Sequence, residues 1–263
     1  MRTTSRSVIG VVWPPLVFGI AFLVLWEAAV NVFDFQPYFL PAPSAIWAEF
    51  RANATLIWEA TRVSGLNALI GLLVGAALGI AMSFLLARFR LLNDLVTPLA
   101  IALNAVPIFV LVSVFNNMFS VTSEVPRRLM VTLVVYFIVL VNVARGLRDV
   151  QATQLELMRS YAASEGAILR KVRVPNAVPY LFTALKIAAP ASVITAFVSE
   201  YFGGSQNGLG SRITSNIAIS NNAAAWGYVV GACLLGLAFY LVAVGLERLV
   251  TPGGVGRYAR DAA

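Results

Sequence analysis

The chain has 263 residues, of which 59% are hydrophobic and only 12% are charged, and its formal net charge is +7. Soluble domains carry about 25% charged residues, so a chain this apolar cannot bury its surface in one aqueous core and is predicted to lie in a membrane. The basic residues fall in short clusters between apolar runs, which is typical of membrane topology rather than of a nucleic-acid groove. The chain has no histidine and one cysteine, Cys233, which excludes histidine-based catalysis and an intrachain disulfide.

Six apolar stretches are long enough to cross about 30 Å of hydrocarbon as helices of about 20 residues. They are continuous rather than alternating, which favours helices over a barrel. We therefore predict an all-α membrane protein with a single domain over 1–263. The predicted spans lie at about 8–30, 63–87, 95–117, 128–146, 179–200 and 226–247, with a loop at 147–178.

The first stretch follows Arg2 and Arg6, as the core of a secretory signal would. It is longer than a typical signal core and lacks a small-x-small cleavage site, so we predict an uncleaved first span. Pro14 and Pro15 are expected to bend or delay it.

The basic residues predict the orientation. With the N-terminus inside, thirteen of them fall in inner segments and five in outer segments, Lys186 being within the fifth span. This bias predicts that both termini and the loop at 147–178 face the cytoplasm.

Glycines and prolines predict how the spans pack. Gly71, Gly75 and Gly79 lie four residues apart in the second span, so they share one helical face that lets another helix approach closely. A general abundance of glycine in membrane helices is the alternative. Proline interrupts the third and fifth spans, and the freed backbone groups place these helices in a bundle or beside a cavity.

The loop "ELMRSYAASEGAILRKVRVPNAVP", residues 156–179, is rich in charge and turn signals. Gln151–Tyr161 and Ser164–Val172 are each compatible with a short helix, and Pro175 and Pro179 are expected to stop the second one. Apolar side chains of the first piece need a cover, either lipid headgroups or a partner protein.

This loop resembles the cytoplasmic loop of ABC importer permeases, in which Glu-Ala-Ala, three residues and a glycine precede aliphatic-x-aliphatic-Pro. Aligned on Pro175, the glutamate is Glu156, Leu157 and Met158 replace the alanines, and Ala162 replaces the glycine. A left-handed turn is therefore not expected at Ala162, and Gly166 is expected to provide the bend. The resemblance implies that an ATPase subunit contacts Glu156, Leu157, Met158, Arg159, Ala162, Ala163, Ser164 and Pro175. From the residues alone, Glu156 would be a solvated or capping carboxylate, and Arg159 a contact to lipid phosphate.

Three other segments resemble the nitrate/sulfonate/taurine-type branch of these permeases. They are "LPAPS" before the second span, "PLAIALNAVPIFVL" in the third, and "SEYFGGSQNGLGSRI" after the fifth. In the last segment the matched positions are Glu200 and Gly208–Gly210. By contrast, "NNMFSVTSEVPRR" departs from the usual Trp-Phe-Gly-x-Gly after the third span, so the outer mouth is expected to differ from that of relatives.

The resemblance implies a type I ABC importer permease (MetI-like) fold with a cytoplasmic coupling helix. It implies a multi-pass protein of the bacterial inner membrane that forms half of a translocation pathway, without catalytic, cofactor or metal residues of its own. The implied partners are two ABC ATPase subunits that bind ATP and Mg, a second copy or a related permease, a periplasmic or lipid-anchored solute-binding protein, and membrane lipid. The implied solute is a small organic anion or a small heterocycle such as a pyrimidine or vitamin precursor.

Polar residues inside predicted spans are candidates for the pathway. Asn104 and Asn142 either face the cavity or join helices by hydrogen bonds. Glu200 either gates the outer mouth, pairs with Arg212, or lies in water. Lys186 either lines the pathway or reaches the inner surface as an anchor.

Two other classes compete with the permease interpretation. A secondary transporter or channel would work without an ATPase, but no acidic residue lies in the middle of a span and no internal repeat is evident. A membrane enzyme is disfavoured because histidine and paired intramembrane carboxylates are lacking. No phosphate-binding loop is present: "GGSQNGLGS" has the glycines but not the lysine.

Overall fold

The structure is a computed structural model that describes residues 8–89, 92, 95, 108–119, 123–203 and 207–251. The regular elements of the described part are helices, as predicted. They are α1 (Val8–Val32), α2 (Pro43–Ala52), α3 (Ala54–Arg88), α4 (Ile108–Met118), α5 (Val125–Arg148), α6 (Ala152–Ser160), α7 (Glu165–Ile168), a π-helical turn (Leu169–Arg173), α8 (Val174–Tyr201), α9 (Leu209–Ala218) and α10 (Asn222–Val250).

Among the described residues, five helices are long and apolar enough to cross a membrane. They cover Trp13–Val32, Ala54–Arg88, Val125–Arg148, Glu165–Tyr201 and Asn222–Val250. The predicted span at 95–117 lies largely outside the described residues, as do Pro98 and Pro107, and α4 represents only its end.

The core of the bundle is α5, which packs between α3 and α8. Its buried ridge recurs every four residues, at Val131, Val135, Val139, Val143 and Leu147. Residues four apart form one row along a helix, and such rows fit into the groove of a facing helix. Small residues of α8, among them Ala184 and Ala188, complete the other side.

The predicted glycine face of α3 is confirmed. A Cβ added to Gly71 would lie 2.4 Å from Val131 Cβ, and one added to Gly75 would lie 2.6 Å from the Thr132 carbonyl oxygen. At Gly79 the carbonyl oxygen of Tyr136 would be 2.8 Å away. Real Cβ contacts are not this close, so these glycines let the backbones of α3 and α5 touch.

The expectation that Pro175 and Pro179 end a helix is wrong. A continuous helical segment runs from Glu165 to Tyr201 and includes both prolines. In a regular α-helix the ring of Pro175 would clash with the carbonyl group of Lys171, four residues earlier. Lys171 lies in the π-helical turn, where the Val174 N–H donates to the Leu169 carbonyl five residues back. The wider turn makes room for the ring.

The first helix is mostly exposed and contacts the rest of the chain near its C-terminal end, where the rings of Trp26 and Trp226 lie 5.5 Å apart. It begins at Val8 with Pro14 and Pro15 inside it, so these prolines do not delay it. Val30 is the one buried residue among its described side chains. Near its end, Glu27 accepts hydrogen bonds from the Ser44 backbone and hydroxyl groups, at 3.0 and 2.7 Å.

Candidate functional site

Helix α6 presents an exposed surface in the segment between α5 and α8. None of its residues is buried. Leu157 is 56% exposed, and Tyr161, which directly follows α6, is 76% exposed. The Tyr161 N–H donates to the Leu157 carbonyl at 3.3 Å, so the two residues lie on the same side. Glu156 and Arg159 are exposed, and Met158 is half-buried. The segment thus combines charge with two large apolar side chains that this chain leaves uncovered among its described residues.

A left-handed residue ends α6, contrary to expectation. Ala162 has a φ of 51°. Its N–H donates to the Arg159 carbonyl at 2.9 Å, and the Ala163 N–H donates to the Met158 carbonyl at 3.0 Å. This pair of bonds is a Schellman motif, in which the residue just past the helix is left-handed and the last carbonyls are satisfied. Alanine therefore adopts the turn for which glycine is the usual residue.

Gly166 does not provide the bend. It lies inside α7, and its φ is not positive. A Cβ added there would meet nothing within 4 Å. The expectation for Gly166 was wrong because it considered only which residue type prefers a left-handed turn. The two hydrogen bonds of Ala162 and Ala163 hold the turn four residues earlier.

The second half of the loop is anchored in the bundle. Ser164 caps α7, its hydroxyl oxygen accepting from the Ala167 N–H at 3.3 Å. Ile168 is 1% exposed, so it fixes α7 against the bundle. Pro175 is exposed in the first turn of α8. The eight residues predicted to contact an ATPase therefore lie on one continuous segment, with its free part at α6.

Glu200, at the far end of α8, is buried rather than in water. It is 2% exposed, and its Oε2 accepts from the Ser64 hydroxyl at 2.7 Å and from the Gly210 N–H at 3.1 Å. Ser64 in turn accepts from the Leu209 N–H at 2.9 Å. The predicted alternative of a pair with Arg212 is wrong, since Oε1 has no partner among the described residues.

These contacts explain the Gly-Leu-Gly sequence. A Cβ on Gly208 would lie 2.2 Å from the Glu200 carboxylate, and one on Gly210 would lie 2.2 Å from the Phe197 carbonyl oxygen. Both glycines allow α9 to start directly against the end of α8. Glu200 therefore joins α3, α8 and α9.

A second polar group at the same end was missed by the sequence reasoning. Arg127, 1% exposed, pairs with Glu124 at 2.5 Å. Asn67 of α3 donates to Glu124 at 2.7 Å and accepts from Arg128 at 3.0 Å. The only sequence signal was adjacent arginines at the start of a span, which were assigned to an exposed outer segment.

The other polar residues predicted inside spans either have hydrogen-bond or ion-pair partners or lie outside the described residues. Asn142 donates to the Ile138 carbonyl of its own helix at 2.8 Å, and Asn104 lies outside the described residues. Lys186 is paired with Glu247 of α10 at 2.8 Å. This ion pair fits the anchor alternative, because it ties α8 to α10.

An apolar groove of about 830 Å³ runs between α3, α8 and α10. Its wall includes Leu69, Leu73, Leu235 and Phe239, and polar side chains such as Glu59 and Arg62 stand at one end. It lacks the several convergent polar groups that a site for a polar solute requires.

The likeness to known proteins agrees with this architecture. A family described as "Binding-protein-dependent transport system inner membrane component" matches residues 71–253. A probable ABC transporter permease of Haemophilus influenzae is 30% identical over 197 residues, covering 75% of this chain and 79% of that one. The formylaminopyrimidine transport permease ThiX of Halalkalibacterium halodurans is 26% identical over 241 residues, covering 90% and 94%.

Among solved structures, the MetNI methionine ABC transporter in an inward-facing conformation is similar, with a TM-score of 0.59 and 19% identity. The match covers 74% of this chain and 94% of that one, so the two share a fold. The all-helical, multi-span architecture is that of an inner-membrane permease. The chain belongs to the binding-protein-dependent transport system inner-membrane component family, the permeases of ABC transporters. The predicted resemblance is confirmed.

Proposed function

We propose that this chain is the permease subunit of an ATP-driven importer, and that α6 with the turn at Ala162 is its coupling helix. The observation that carries the proposal is the pair Leu157 and Tyr161, exposed at 56% and 76%. Leu157 lies in α6, which has no buried residue, and Tyr161 directly follows its last residue. Two large apolar groups in this setting require a cover. Family membership supports an ATPase subunit as that cover.

The proposed mechanism is a rigid-body movement. Two ATPase subunits, which bind ATP and Mg, close on nucleotide and move the loop at 147–178. Because α5 and α8 flank this loop, they tilt with it and open the pathway outward to a solute-binding protein. The pathway lies between six-span subunits, either two copies or one copy and a related permease. The basic-residue bias supports cytoplasmic termini.

The proposed solute is a small organic anion or a small heterocycle. The likeness to a formylaminopyrimidine permease supports the heterocycle, since it extends over 90% of this chain. The proposed contacts are Asn104 and Asn142. Glu200, proposed from the sequence as a third, is engaged with Ser64 and Gly210, which favours a fixed outer joint over solute contact. A screen of the cognate binding protein for thermal shifts with anions and pyrimidines tests the solute class.

Leu157→Glu tests the coupling surface. The cognate ATPase subunit is co-purified with the tagged permease, and its affinity and ATP hydrolysis are measured. A carboxylate forced into an apolar contact is expected to weaken ATPase binding at least about tenfold. The control Gln151→Glu adds the same charge just before α6 and is expected to retain binding.

Two results would contradict the proposal. If Leu157→Glu bound the ATPase as wild type does, α6 would not be the contact. If the purified wild-type chain moved solute without any ATPase, the protein would be a secondary transporter or channel instead.

A further inference from the structure

The two ends of the loop at 147–178 are joined by side chains of α8. Asn176 Nδ2 donates to the carbonyl oxygens of Gly146 and Asp149, both at 2.8 Å. Tyr180, one turn later on the same face, donates its hydroxyl hydrogen to Asp149 Oδ2. We call Gly146, Asp149, Asn176 and Tyr180 the inner clasp.

The clasp satisfies the end of α5. The last four carbonyl groups of a helix have no partner inside it, and Gly146 is among them. The Val150 N–H, which would reach Gly146 if the helix continued, donates to Arg148 instead. Asn176 supplies the missing donor, and its two N–H groups are then both used.

Gly146 allows the close approach that the clasp needs. A Cβ at this position would lie 2.8 Å from Cβ, Cγ and Cδ2 of Tyr180. The Tyr180 ring therefore rests directly on the α5 backbone, while its hydroxyl group reaches Asp149. Buried apolar residues beside the clasp, Leu147 and Ala177, continue this contact toward the core.

We propose that the inner clasp makes the end of α5 and the start of α8 one rigid base for the coupling helix, with Asn176 as a positioning residue for energy transfer. This inference rests on the proposed function. A loop whose ends move independently would absorb a displacement of α6 by changing its own backbone angles. With its ends held by three hydrogen bonds, the same displacement must turn α5 and α8 together.

The test separates the donor role of Asn176 from its size. Asn176→Asp keeps the shape but replaces the amide nitrogen and its two N–H donors by an oxygen, which repels the carbonyl groups of Gly146 and Asp149. If Asn176 only fills space, this variant should behave as wild type; the clasp instead predicts that Asn176→Asp is at least as defective as Asn176→Ala. Tyr180→Phe keeps the ring on Gly146 and is expected to have a smaller effect. Asn216→Ala is the control, since within the described ranges the side chain of Asn216 donates only to the Arg212 carbonyl of its own helix.

The first measurement is solute transported per ATP hydrolysed, in proteoliposomes holding the full complex with its ATPase and binding protein. Asn176→Ala is expected to bind the ATPase and hydrolyse ATP as wild type does, but to transport about tenfold less solute per ATP, a difference of about 1.4 kcal/mol. Unchanged transport per ATP would overturn the inference. Failure of the wild-type chain to bind or stimulate the ATPase would instead overturn the proposed function.

The second measurement does not depend on transport. Spin labels are placed at the exposed Arg159 of α6 and Arg248 of α10 in a Cys233→Ser background, and their distance distribution is recorded. Asn176→Ala and Asn176→Asp are expected to broaden this distribution, while Asn216→Ala leaves it narrow. Distributions as narrow as that of wild type in both Asn176 variants would overturn the inference, even if either variant were poorly active.

Discussion

Ala162→Gly tests the left-handed turn at the end of α6. Ala162 has a φ of 51°, a conformation that costs a residue with a Cβ about 1–2 kcal/mol. Glycine removes this cost, but its greater conformational freedom in the unfolded chain lowers the stability of the folded turn by about 0.4–1 kcal/mol. The net stabilisation of the turn is therefore expected to be about 0.5–1 kcal/mol.

Hydrogen exchange measures this difference locally. The amide groups of Ala162 and Ala163 donate the two hydrogen bonds that close the turn. A stabilisation of this size slows their exchange about twofold to fivefold if they open locally. The measurement is made on the purified chain in nanodiscs, for the peptide that spans residues 157–168.

Gly166→Ala provides the matched control. The added methyl group meets nothing within 4 Å, and Gly166 lies inside α7. This variant should therefore leave the protection of the turn intact or raise it. Slower exchange in Gly166→Ala is compatible with a left-handed turn at Ala162. The turn would instead be placed at Gly166 if Ala162→Gly exchanged as fast as wild type or faster and Gly166→Ala lost protection.

Two further predictions concern the bundle. Gly75→Leu is expected to destabilise the chain by about 3 kcal/mol or more, because its Cβ alone would lie 2.6 Å from a backbone oxygen of α5. Thermal unfolding in detergent should show a large loss for this variant, whereas Gly245→Leu, at a position with nothing within 4 Å, should unfold near the wild-type temperature. Equal losses in the two variants would contradict the close packing of α3 on α5. Lys186→Met leaves the carboxylate of Glu247 without its partner at 2.8 Å and is expected to lower the free energy of unfolding by about 2 kcal/mol. The double variant with Glu247→Met is expected to recover most of this loss. No recovery would mean that the ion pair is not the reason for the loss.

Much of the architecture could be predicted from the sequence because the signals are local. A run of apolar residues predicts a position in lipid without any information about the rest of the chain. Gly71, Gly75 and Gly79 share a face because a helix has 3.6 residues per turn. The glycines therefore predicted a close contact, although not that Val131 and Thr132 of α5 would make it.

The wrong predictions concern residues whose conformation or partner depends on another part of the chain. Pro175 was expected to end a helix, yet the π-helical turn before it makes room for its ring. Of the three alternatives for Glu200, a position in water and a pair with Arg212 are wrong, and a gate at the outer mouth stays a prediction. Its hydroxyl partner is Ser64, 136 residues away. A side chain of this kind gives no local sign of its partner.

The sequence by itself determined the membrane setting, the helical class and the position of the charged segment between two spans, because transfer into lipid depends on composition along the chain. Only the tertiary structure decided which polar groups meet: Glu200 with Ser64, Lys186 with Glu247, and Asn176 with the end of α5. In a medium without water a buried donor or acceptor that lacks a hydrogen-bond partner costs free energy, so most of them find one. That partner is set by how the helices pack, which no single stretch of sequence specifies.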